Sequence, residues 1–511
     1  MDWFDDWALT LAVFLPAVGL VAVLAVPRAE ERLIKAVTLV ATLATLAVGV
    51  GILARFDYDR SADLQLRVDA SWIDAINARY HLAVDGISLP LLVLSMLVTV
   101  LCVVYSWNHF PEPHNPKAFL GLILLLEVGM NGTFLAQDLV LFFIFFEVVL
   151  LPMFFMIGVW GGPNREYASI KFFLFTLFGS ALMLLGFLAL FFLSGTNTFQ
   201  IPELVALGGE GISRTTQHLI FAGLFLGFAI KVPMFPFHTW LPDAHTEAPT
   251  VGSVLLAAIL LKLGTYGFVR IAMPVLPEAA ATWAPWIGLL AVIGIIYGAL
   301  CCLAQTDMKR LIAFSSVAHM GFVMLGIATL TTFGVNAAVF GMVAHGLITG
   351  MLFFLAGTVQ HTYHTREMAR LGGLLKQAPR LGWILGFCAM ASLGLPGLAG
   401  FWGEFPAILS AYRPAGAVSG LLGAEPLVTF RVFMVLAAVG TVLAAGYLLW
   451  MYQRVAFGVP KEEFAQLSVH DVTPAEWIAW TPMLLLIVAL GVYPQLLFGM
   501  TNGAVTRLFG G

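Results

Sequence analysis

Residues 138–158 read DLVLFFIFFEVVLLPMFFMIG, an aspartate followed by an apolar run that a single ionisable residue, Glu147, interrupts. A helix needs about 20 mostly apolar residues to cross a bilayer, so this run predicts a membrane span. At a rise of about 1.5 Å per residue, Glu147 lies about 13 Å along it, near the midplane. Outward in both directions the same rule predicts fourteen spans, at approximately 8–26, 33–53, 86–106, 118–136, 138–158, 169–194, 218–238, 249–272, 284–304, 310–330, 336–360, 380–411, 430–457 and 477–500. Gln137 and Asp138 alone separate the fourth span from the fifth, which demands a tight turn.

The composition agrees. Of 511 residues, 60% are hydrophobic and 11% charged, under half the roughly 25% charge of a soluble domain; mean hydropathy is +0.93. A formal charge of −4 is too small to suggest nucleic acid as a partner. A soluble enzyme, a disordered chain and a secreted disulfide scaffold are all excluded, and an all-α polytopic membrane protein remains. Cys102, Cys301, Cys302 and Cys388 lie in or beside apolar segments without Cys-x-x-Cys spacing. They read as small buried hydrophobes rather than ligands of zinc, haem or an iron–sulfur cluster. With no GxGxxG or Walker loop either, the chain is expected to carry no nucleotide, metal or redox cofactor of its own. The acidic start MDWFDDW is the reverse of a signal peptide's basic region.

The bias of basic residues toward inside loops sets the orientation. With the N-terminus outside, the inside loops hold fourteen basic residues and the outside loops nine, Arg270 included. Four of the nine, Arg55, Arg60, Arg67 and Arg79, lie in one Asp-rich loop at 54–85. Both termini are therefore expected outside. The remaining two of the 25 basic residues, Lys231 and Lys262, fall inside the membrane.

An ionisable residue at the centre of a span costs roughly 2.5–3.5 kcal/mol and marks an ion pathway by default. Five stand out: Glu127 in LLLEVGM, Glu147, Lys231 in FAIKVPMFP, Lys262 in ILLKLG and Glu404 in GFWGEFP. Structural ion pairs would also account for them, but buried pairs stabilise poorly relative to apolar packing, which favours transport. His319 and His345 lie mid-span on successive helices, while His238 and His245 flank the inner end of the seventh span. A lone buried histidine is often a packing residue. Several beside lysines and glutamates read as relay stations, because imidazole titrates near neutral pH. None has the short spacing of metal ligands.

Two spans should break. Pro233 and Pro236 remove backbone donors in the seventh, and Gly394, Pro396, Gly397 and Gly400 interrupt the twelfth. Interrupted segments at corresponding places in two halves point to the ion-binding region of a transporter. Pro233 and Pro396 are 163 residues apart, and LAQD before span five is offset by 168 from LAQTD before span ten. A five-helix unit is thus expected twice, inverted because its span number is odd. The divisions are 1–117 with the outside loop, 118–272, 284–457, and a C-terminal span in 458–511.

Four long motifs carry a family resemblance: HLAVDGISLPLLVL from 81, FLAQDLVLFFIFFEVVLLPMFFMIGVWGG from 134, KVPMFPFHTWLPDAHTEAPT from 231 followed by GSVLLAAILLKLGTYGFVR, and LGLPGLAGFWGEFP from 393. On these, from about residue 80 to 460, the chain resembles the antiporter-like subunits of respiratory complex I, the bacterial NADH–quinone oxidoreductase. Glu404, where sister subunits and the sodium/proton antiporters usually carry Lys, and the early end after the last span favour the subunit M branch, counterpart of mitochondrial subunit four. The resemblance implies a bacterial inner-membrane location, two antiporter-like sisters among the membrane-arm partners, and NADH, FMN, iron–sulfur clusters and quinone in other subunits. It also makes Glu147 and Lys231 an input charge pair, Lys262 the central lysine, His319 and His345 connecting positions, and Glu404 the output residue. Glu127 matches no position in that pattern.

The expected function is proton transfer from inside to outside along this row, coupled to electron transfer elsewhere. At about 4 Å and an effective dielectric near 20, a Glu147–Lys231 pair is worth about 4 kcal/mol. One charge moved against 100 mV costs about 2.3 kcal/mol, so one pair made and broken is the right size to drive it. The alternatives are a subunit of a sodium/proton antiporter without redox coupling, and a solute carrier.

Overall fold

A bilayer offers no partner to backbone N–H and C=O groups, so spans must satisfy them internally as helices. The computed structural model describes residues 3–467 and 469–510, and it is built of such helices. Among the described residues twelve are long and apolar enough to cross a membrane, from Trp3–Ala25 to Pro474–Val492. That is two fewer than the fourteen expected. The two missing from the set are those that proline and glycine interrupt. Span 218–238 becomes the helix Arg214–Lys231, a non-helical stretch at 232–239, and the short helix Trp240–Glu247. Span 380–411 becomes Pro379–Ser392 and Ala399–Ser410 with 393–398 unwound between them.

Other boundaries are corrected. The last span, expected to reach 500, ends at Val492, and a separate helix runs from Gln495 to Phe509; the residue before Pro494 is kept from helical geometry by the ring. Span five divides at Val149 into Leu139–Val148 and Leu150–Trp160, since Pro152 cannot donate to the Val148 carbonyl. Loop 54–85 is not featureless: Gln65–Ile73 and Ala78–Val84 pair as an antiparallel hairpin. Arg270 is not a loop residue either, but lies 5% exposed inside the span Thr250–Val275.

Capping explains the tight turn. Asp138 accepts hydrogen bonds from the backbone of Val140 and Leu141, so only residues 136–138 need separate the helix Pro116–Leu135 from the next. Asp307, in the LAQTD motif, caps Met308–Ala328 in the same way.

The three helices at the centre, Thr250–Val275, Met308–Ala328 and Thr332–Tyr363, are surrounded by protein along their most apolar stretches, whereas the corresponding stretches of Trp3–Ala25 and Glu31–Arg55 are mostly not buried. Those central helices carry Lys262, His319 and His345. Thr250–Val275 contains two π-helical turns, 256–260 and 268–272, one on each side of Lys262. Such bulges re-aim side chains and recur at functional sites.

Candidate functional site

Lys262 is the hub. Its Nζ donates to the Ala257 carbonyl at 2.6 Å, across the π-helical turn, and lies 2.7 Å from His345 Nδ1 on the neighbouring helix. The His345 ring is 6.1 Å from that of His319, centroid to centroid. His319 Nδ1 meets Glu404 Oε1 at 2.6 Å, and its Nε2 lies 3.1 Å from both Ser392 Oγ and Tyr447 OH. Glycines let the helices close on this row: a Cβ on Gly403 would sit 2.5 Å from the Gly341 Cα. A cavity with about 20 Å³ for water centres lies between His319, His345 and Glu404, room for one water.

Of the residues that the sequence singled out, the structure brings Lys262, His345, His319 and Glu404 into one file. Sequence reasoning missed Ser392 and Tyr447. The only signal for either was a hydroxyl within an apolar span.

The input pair is arranged differently from the expectation. Lys231 is buried, with Nζ 4.9 Å from the Phe146 ring centre and 6.0 Å from that of Phe172. Glu147 and Lys231 feel each other's charge, but among the described residues no ion pair within 4.0 Å joins them. The aromatic faces hold the ammonium instead. Nor does a hydrogen bond link Lys231 to Lys262 among the described residues. Their helices meet through Phe228 and Val232 against Gly264 and Gly267, which is an apolar contact.

On the face opposite the hairpin, a vestibule of about 690 Å³ is lined by Glu247, Asp307, Lys309, Arg366, His109 and His361 among others. Lys309, which the sequence assigned to a loop, is buried at its floor and donates to the Ala248 carbonyl. The charges of Lys309 and Lys262 both act on His245. His245 is fully buried, its ring stacked 4.5 Å from Phe353, and neither ring nitrogen has a protein partner. At the vestibule rim, outside the spans, burial holds His109 below the usual histidine range against the opposing pull of Glu476, 3.5 Å away.

Two candidates do not join the row. His238 sits between the rings of Phe235 and Tyr297. Glu127 is fully buried with neither carboxylate oxygen hydrogen-bonded to protein. Pro233, Pro236 and Pro396 lie in the two unwound stretches, as their lost donors require. Among the described residues no group of three or more His, Cys, Asp or Glu could hold a metal. Lysine, imidazole and carboxylate in contact can exchange a proton stepwise, and that is the chemistry this arrangement allows.

A polytopic bundle with two broken helices and a buried lysine–histidine–glutamate row defines an integral membrane protein of antiporter-like fold. A family model described as NADH:quinone oxidoreductase/Mrp antiporter, TM, matches residues 136–423, and one described as NADH-ubiquinone oxidoreductase chain 4, amino terminus, matches 68–133. The chain belongs to the NADH:quinone oxidoreductase/Mrp antiporter transmembrane family. It is 40% identical to NADH-quinone oxidoreductase subunit M of Rhodobacter capsulatus, covering 98% of this chain and 96% of the relative. Identity to NADH-quinone oxidoreductase subunit M of Rickettsia prowazekii is 36%, over 98% of both. Among solved structures, a chain of respiratory complex I from Thermus thermophilus with bound NADH superposes with a TM-score of 0.86 at 30% identity, covering 98% of this chain and 100% of that one. A chain of the Mrp complex from Dietzia sp. DQ12-45-1b gives 0.84 at 20% identity, over 99% and 98%, a likeness of fold alone.

Proposed function

We propose that this chain is a proton-translocating membrane-arm subunit of an NADH–quinone oxidoreductase. The observation that carries this reading is the file Lys262–His345–His319–Glu404, hydrogen-bonded at each end with a one-water cavity beside the two imidazoles, buried across four helices at the centre of the bundle. Glu147 and Lys231 form the input pair and Lys262 the hub, with Glu404 delivering the proton toward the far face. His245 and Lys309 connect the vestibule to the hub. NADH, FMN, iron–sulfur clusters and quinone reside in partner subunits, which include two antiporter-like sisters. The chain lies in a bacterial inner membrane with both termini outside, and its spans four to eight and nine to thirteen are inverted copies of one unit.

In the arrangement described, Lys231 is not locked to Glu147, so a small movement makes or breaks the pair. A change of about 4 kcal/mol at contact exceeds the roughly 2.3 kcal/mol needed to move one charge against 100 mV. Glu404 in place of lysine supports redox-coupled pumping over the sodium/proton antiporter reading. The test is purification from membranes through a tag on this chain. A flavin- and iron–sulfur-containing arm should come with it, and NADH should drive proton movement in vesicles. A chain that purifies without that arm, and exchanges sodium for protons without NADH, contradicts the reading.

A further inference from the structure

We propose that Asp85, Arg270 and Tyr266 form a proton seal that closes Lys262 off from the hairpin face of the protein. This rests on the reading that Lys262 carries protons. Lys262, Tyr266 and Arg270 are spaced four residues apart on one helix, so they stack along one side, with roughly 12 Å between the first and last Cα. Arg270 Nη2 donates to both carboxylate oxygens of Asp85, at 2.5 and 2.6 Å, and Nε donates to Tyr266 OH at 3.2 Å. Tyr266 OH in turn donates to the Phe134 carbonyl at 2.9 Å. Asp85 is itself fixed by the backbone N–H groups of Ile87 and Ser88, at 3.1 and 3.0 Å.

A cavity of about 90 Å³ reaches this cluster from the hairpin face; Asp85, Gln137, Arg270 and Arg507 line it. That is room for several waters. The groups that separate it from Lys262 are unsuited to relay. A guanidinium does not give up its proton in a protein. The single hydrogen of Tyr266 is committed to a backbone carbonyl, and the Phe134 ring packs 5.3 Å from the tyrosine ring. The guanidinium also lies on the Lys262 side of Asp85, so a proton arriving at Tyr266 meets fixed positive charge at closest range, as at the arginine barriers of water channels. Burying the pair is poor for stability compared with apolar residues, which favours a functional reason for it. Without such a seal, protons delivered to the hub would return through the same helix.

The experiment uses the whole complex in liposomes without NADH, with an imposed pH step read by a trapped fluorescent pH dye. Asp85→Asn combined with Arg270→Gln leaves polar amides, the second on a shorter side chain, and removes both charges. Passive proton influx should rise about tenfold, the factor equivalent to about 1.4 kcal/mol, while potassium leak stays at the original value. Adding Lys262→Met should return proton influx to that of the unaltered complex. A double variant as tight as the unaltered complex overturns the proposal, and so does a leak that persists with Lys262→Met or admits potassium. If the double variant fails to assemble, Arg270→Lys replaces it, since an ammonium can shed its proton; a tight Arg270→Lys complex overturns the seal. Normal NADH-driven pumping by Lys262→Met alone would instead sink the functional reading on which the seal depends.

Discussion

The two broken helices hold their ionisable residues in opposite ways. Lys231 is the last residue before the first break, and it rests on the faces of Phe146 and Phe172 with its counter-charge beyond ion-pair distance. Glu404 lies just after the second break and is fastened to His319 at 2.6 Å. Gly394, at φ +81°, lets the unwound backbone pass close to its other oxygen, where a Cβ would come within 3.2 Å. The first break thus leaves a charge that can be shifted by moving its partner, and the second builds a fixed relay. On the proposed function, the first break would serve as switch and the second as wire.

Perturbing the switch should have the largest effect. Glu147→Gln removes the counter-charge of Lys231 and should lower NADH-driven proton pumping by about tenfold or more, with coupled quinone reduction falling too. Normal pumping by assembled Glu147→Gln complex would break the contrast. In the wire, His319→Gln keeps a hydrogen-bonding group opposite Glu404 but cannot titrate, and should slow pumping by about tenfold, at the lower end for a lost proton-transfer group. Unchanged initial rates of vesicle acidification would show that His319 only positions Glu404. Phe146→Leu tests the aromatic cradle: losing a cation–π contact worth about 0.5–2 kcal/mol should slow pumping by a few-fold. An effect as large as that of Glu147→Gln would mean that the ring, not the carboxylate, is the working partner. The smallest effect belongs to the surface. Arg370 hydrogen-bonds Glu463 at 2.7 Å and so holds that exposed carboxyl below the usual carboxylate range. Arg370→Ala should let Glu463 return to the ordinary range, with pumping rate and thermal midpoint unchanged.

Much of the bundle was legible because apolar length and buried charge are strong signals in a chain that must satisfy its backbone without water. The two breaks were readable from Pro233, Pro236 and Pro396, whose missing donors or rings permit little else. Lys262, His319, His345 and Glu404 were readable because each is costly where it stands. What escaped was set by tertiary context. The hairpin at 65–84 lacks clean alternation of apolar and polar residues, so its strands look like loop. Arg270 sits where an apolar run ends, and only its burial against Asp85 distinguishes it from an interfacial residue. Lys309 follows a capping aspartate and looks like a loop cation until the vestibule floor closes over it. The Glu147–Lys231 distance was beyond reach, because side-chain rotamers and the division at Val149 decide it.

If this chain carries protons as proposed, they pass through Lys262. The most direct measurement is the number of protons moved per NADH oxidised by the Lys262→Met complex in sealed vesicles, against the unaltered complex at equal content of the flavin-bearing arm. A lower ratio is expected, with the protons that this chain carries missing from the total. An unchanged ratio in a fully assembled complex would contradict passage through Lys262.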